Sequence, residues 1–74
     1  MDKQMLTEQL ARAERHVHDG MDKVLRQGEL IAELERTGHD SRQAKTALVQ
    51  FEDMLALFIA DRDRLRAELS EPAR

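Results

Sequence analysis

A single break, Thr37-Gly38-His39-Asp40-Ser41, divides two long apolar-periodic segments of nearly equal length. Glycine takes the left-handed conformation just past a helix end at little cost, and Asp or Ser accepts from the free N–H groups that open the next helix. The break therefore reads as Gly38 at the C′ position of one helix, with Asp40 or Ser41 as the N-cap of another. One break gives one connection. The expected fold is all-α: a single antiparallel, coiled-coil-like two-helix hairpin over 1–74, with helix 1 about 2–36, the turn 37–40, helix 2 about 41–70 and a frayed tail 71–74.

Both segments carry a seam at alternating spacings of four and three. On helix 1 it is Leu6, Leu10, Ala13, Val17, Gly20, Val24, Gln27, Ile31 and Leu34, with Asp2 placed to cap the first turn. Small or polar residues hold one heptad position through the middle of this seam. Gly20 and the neighbouring Gly28 each cost about 1 kcal/mol in a helix relative to alanine, so large partners are expected beside them. Helix 2 supplies them through Ala44, Leu48, Phe51, Leu55, Phe58, Arg62, Leu65 and Leu69. A reversal at Gly38 and His39 sets Phe58 beside Gly20 and Phe51 beside Gln27 and Gly28, the size alternation that dense packing needs. Asp40 with Gln43 three residues on predicts a capping box, and Pro72 a stop to helix 2.

The hairpin is more apolar than one seam requires. Met21 and Leu25 on helix 1, and Met54, Leu57 and Ile59 on helix 2, fall outside the positions that face the other helix. A helix apolar over most of its circumference is covered on several sides. A chain of 74 residues cannot supply that cover itself, so these residues are expected to form a homodimer interface that completes a four-helix bundle. The pattern leaves the relative direction of the two hairpins open.

Composition excludes several classes. There is no cysteine, hence no disulfide or thiolate metal site. The net charge of −3 argues against a nucleic-acid binder, which normally carries a basic surplus. No apolar run reaches the ~18–20 residues of a membrane span, and the start lacks the layout of a signal peptide. The expectation is a cytoplasmic protein.

No residue pattern points to catalysis, a cofactor or a metal. His16 and His18 lie two apart, about 200° around a helix, and cannot share one metal within a chain. His18 and Asp22 make at most half a site. His39 in the turn is expected to cover the end of helix 1, and neither Ser41 nor Ser70 has an evident base. The inward Glu and Glu-x-x-His pattern of di-iron bundles is missing. Gln27 on the seam is expected to fix register, as one polar core residue can. Arg12, Arg15, Arg62 and Arg66 gather toward the open end of the hairpin, interleaved with Glu14, Asp61, Asp63 and Glu68. They are read as solubilising or paired side chains, Arg62 with Glu14 or a partner carboxylate; the alternative is a phosphate or RNA contact.

Arg26-Gln27-Gly28-Glu29-Leu30-Ile31-Ala32-Glu33-Leu34-Glu35-Arg36, the turn Gly38-His39-Asp40, Phe51-Glu52 and Asp61-Arg62-Asp63-Arg64-Leu65 together carry a resemblance. Over roughly 16–69 the chain resembles a group of short uncharacterised bacterial helical proteins with a Gly-His-Asp turn. The resemblance implies a small bacterial cytoplasmic protein and brings no catalytic residues. In architecture alone the chain is also similar to the plasmid-encoded RNA-binding hairpin that dimerises into a four-helix bundle, without a shared motif. The function expected is a structural or protein-interaction module acting as a homodimer, with an unidentified protein as a further partner. An RNA-binding bundle is the alternative.

Overall fold

The helices begin and end where local hydrogen bonding dictates. In the computed structural model, which describes residues 2–71, Asp2 has extended backbone and its carboxylate accepts from the Gln4 N–H at 3.2 Å. Helix α1 runs from there over Lys3–Arg36. Thr37 follows as its C-cap, and Gly38 takes φ +77°. The His39 N–H reaches back to the Leu34 carbonyl at 2.8 Å and the Gly38 N–H to Glu35 at 3.3 Å. Those two bonds make a Schellman ending, which satisfies carbonyls that the helix leaves bare. Helix α2 spans Arg42–Ser70, with Glu71 beyond it in extended backbone. The stop assigned to Pro72 and the rest of the expected tail lie outside the described residues.

The predicted capping box does not form. Ser41 occupies the N-cap but makes no side-chain cap bond and is itself buried. Asp40 acts instead from one residue earlier, accepting from the Arg42 N–H at 3.0 Å and from the Arg42 guanidinium at 2.7 Å. The guanidinium beside it holds the Asp40 carboxyl below its ordinary range, with the backbone N–H adding to the effect.

Two helices and one turn give an elongated hairpin whose Cα trace measures 60 × 14 × 13 Å. Every seam position named from the sequence is buried or half-buried, on both helices. The tightest cluster lies toward the open end, where Leu65 is only 1% exposed among Leu6, Ala13, Leu10 and Leu69. Leucines from both helices therefore close the end at which the chain opens. Gln27 crosses the seam and donates from Nε2 to the Ala44 carbonyl at 2.9 Å.

One of the two size matches is found and the other is not. Gly20 is buried, and a Cβ there would meet Leu55 Cδ1 at 3.1 Å and Phe58 Cδ2 at 3.5 Å. The gap is thus shared between Leu55 and Phe58. Gly28 faces open space, with nothing within 4 Å of where its Cβ would sit. It lies one residue beyond the seam position Gln27, which turns it out of the interface, whereas Phe51 lies on the other side, beside Gly20 and Lys23. The expected pairing of Phe51 with Gly28 is therefore incorrect.

Candidate functional site

An antiparallel pair of helices has two flanks, one on each side of its seam, and ion pairs mark the first of them. Glu14 on α1 meets Arg66 on α2 at 3.1 Å, and Glu35 meets Lys45 at 3.1 Å. Met21 lies seven residues from Glu14 and fourteen from Glu35, which is two and four helical turns, so it shares their flank. Ile59 stands in the same relation to Arg66 and Lys45. Leu25, four residues on from Met21, widens the strip, as do Ala32, Val49 and Ala56. Between the two ion pairs this flank carries those apolar residues, with Gly28 as a bare stretch of backbone, and by the same spacing it also carries Glu52 and, near the Glu14–Arg66 end, His18 and Asp63.

The second flank has a different character. An open groove of about 350 Å³ runs along it, lined by His16, Asp19, Gly20, Lys23, Gln50, Phe51, Met54 and Phe58. The His16 ring lies over Phe58, with centroids 5.1 Å apart and planes at 32°. Leu57, three residues from Met54, belongs to this flank. The expected interface residues are therefore divided: Met21, Leu25 and Ile59 on the ion-paired flank, Met54 and Leu57 on the grooved one. One two-fold contact covers one flank only, so these residues do not make a single surface. Ile59 is half-buried against α1, while Met21, Leu25, Met54 and Leu57 are 57%, 64%, 52% and 68% exposed. Val49, at 56%, belongs with the first group although its place in the seam pattern did not single it out.

The arginines named from the sequence are not brought together. Arg62 sits on the seam, half-buried, with its guanidinium on Asp63 at 3.1 Å and not on Glu14. Arg66 is on the ion-paired flank, held by Glu14. Arg12 and Arg15, three apart on α1 and both exposed, make no ion pair among the described residues. Arg64, outside that set, bridges Asp61 at 2.7 Å and Glu68 at 3.0 Å, and these carboxylates hold its guanidinium more firmly protonated. Each arginine thus points to a different part of the surface, and most carry a carboxylate of their own.

His16 and His39 take structural places. His16 covers the Phe58 ring. Asp22, four residues on from His18 and the other half of the half-site read from the sequence, is engaged by Arg26 at 3.0 Å. His39 Nδ1 lies 2.8 Å from the Thr37 hydroxyl, which itself donates to the Glu33 carbonyl at 2.9 Å. That chain closes the C-terminus of α1, the covering role expected of a turn histidine. No helix among the described residues is long and apolar enough to cross a membrane.

No family model matches this chain, and no match to a curated protein or to a solved structure is found.

Proposed function

We propose that this chain is a small structural or protein-interaction module that works as a homodimeric helical bundle and performs no catalysis. The observation that carries this reading is surface. The hairpin exposes 5888 Å². A compact chain of this mass would expose about 4,700 Å². The surplus exceeds the ~800 Å² that each partner contributes to a standard protein interface, and Met21, Leu25, Val49, Met54 and Leu57 are each more than half exposed. A lone pair of helices has too little interior to offset the chain entropy of ordering it. A second copy supplies the missing cover at no further genetic cost, because one self-complementary patch serves both chains.

The polar groups support the same reading. His39 is spent on the helix end, and the arginines are dispersed, with Arg62, Arg64 and Arg66 each held by a carboxylate. The Gly38-His39-Asp40 turn, which carries the resemblance noted from the sequence, is built as a helix stop and a helix start.

Thermal unfolding followed by circular dichroism tests the proposal. A dimer that folds as it associates has a midpoint that rises with chain concentration. The midpoint is expected to climb steadily between micromolar and hundred-micromolar protein; a cooperative midpoint independent of concentration would contradict the reading.

A further inference from the structure

The order of charges along the ion-paired flank determines how a second copy can lie on it. We propose that two copies pack through the flank of Met21, Leu25 and Ile59 with their hairpins parallel, both turns at the same end; this rests on the reading that the chain assembles with itself.

Two hairpins laid face to face can be related by a two-fold axis along the helices or across them. With the axis along the helices, α1 lies over α2 of the second copy, and every level is kept. Glu14 then meets Arg66 of the second copy as well as its own, and Glu35 meets Lys45 in the same way. Each end of the patch closes in a ring of alternating charge. With the axis across the helices, α1 lies over α1 with the levels reversed. Centred on the apolar patch, that arrangement sets Glu14 against Glu35 and Arg66 against Lys45, like charge on like charge at both ends. The two ion pairs are about 31 Å apart at 1.5 Å per residue, so each acts as a separate lock. Like charges brought together at an interface are costly and exclude the wrong arrangement more strongly than correct pairs reward the right one.

The apolar residues fit the same arrangement. At equal levels Leu25 comes over Ala56, and Met21 over Ile59. The grooved flank carries Asp19, Lys23 and Asp61 beside Met54 and Leu57, and among the described residues no ion pair joining α1 to α2 closes its ends.

The chain has no cysteine of its own, so a nitroxide can be placed at the exposed turn through His39→Cys. Electron–electron distance measurement on the assembled protein is expected to find the two labels within about 20 Å, two interhelix spacings. The crossed arrangement puts them roughly 40 Å apart at 1.5 Å per residue, and that result would overturn the direction while leaving the dimer in place. Charge reversal supplies a second reading. Arg66→Glu is expected to weaken self-association several-fold, and Glu14→Arg in the same chain to restore it; tighter association of Arg66→Glu alone would overturn the parallel arrangement. Leu25→Glu is expected to abolish the dimer and Leu57→Glu to spare it, and the converse would move the contact to the grooved flank. A folded monomer at all concentrations would remove this inference together with the reading beneath it.

Discussion

Gln27 on α1 donates its side-chain amide to the backbone carbonyl of Ala44 on α2, at 2.9 Å across the seam. It is a fixed-length tie between the two helices, and sliding by one turn would break it. Gln27→Ala is expected to lower stability by about 0.5–1.5 kcal/mol, the usual net worth of a hydrogen bond. Gln27→Leu replaces the tie with apolar contact and is expected to hold or raise the thermal midpoint. It should also broaden the distribution of distances between labels on α1 and α2. An unchanged midpoint in Gln27→Ala would show that the bond does not bear on register.

The glycines separate two environments within one helix. At Gly28 a methyl group meets nothing of its own chain, so Gly28→Ala is expected to stabilise by about 0.5–1 kcal/mol. At Gly20 a methyl sits 3.1 Å from Leu55 Cδ1, and that side chain must shift, so Gly20→Ala is expected to gain less. Gly20→Leu overpacks the seam and should cost about 1–3 kcal/mol. Thermal midpoints of the three variants check the order; a rise with Gly20→Leu would contradict the packing described.

The seam was legible because heptad spacing is a local signal: whether Val17 or Leu48 faces inward depends only on its own helix. The turn was legible because Gly38 alone there takes a positive φ without strain. The choice of cap on α2 was not, since Asp40 and Ser41 are both capping residues and only the backbone path decides which carries the bond. Gly28 was misplaced by extending a size match one residue past Gln27, where a 100° turn of the helix carries it out of the seam. The contact of His16 with Phe58 joins side chains from different helices and has no spacing signature. The division of Met21 and Ile59 from Met54 and Leu57 did have a signal. In an antiparallel pair like-lettered flanks meet, so Glu14 with Arg66 and Glu35 with Lys45 could have marked one flank from the sequence.

Asp40 gives a pH signature. Its folded-state value lies below the ordinary 3.8 because of Arg42, so the unfolded chain takes up protons first as pH falls. The contribution is therefore present above pH 3.8 and lost as pH drops through the lower folded value. Carbon NMR of the Asp40 carboxyl is expected to titrate below the same group in an unfolded peptide. High salt should bring the two together, because both side chains are exposed and screened. Asp40→Asn should melt below the parent chain near neutral pH and alongside it in strong acid.

The arginines test the RNA alternative. With Arg66 held by Glu14, Arg62 by Asp63 and a net charge of −3, no basic track forms among the described residues. Structured RNA is expected to show no salt-dependent binding at about 0.15 M salt, where screening acts within about 8 Å. Replacing Arg12 and Arg66 by Gln should then leave the response to RNA unchanged, lower stability by about 0–1 kcal/mol through the exposed pair and weaken self-association through the loss of Arg66. Micromolar binding that falls steeply with salt, and is lost in that double variant, would favour the alternative.

The mass of the assembly in solution bears most directly on all of this, because the exposed flanks have a purpose only if another chain covers them. Sedimentation equilibrium at micromolar concentration is expected to return twice the chain mass, with Leu25→Glu shifting the distribution to single chains of lower helicity. A single-chain mass for the unaltered protein, with full helicity and cooperative melting, would contradict the account.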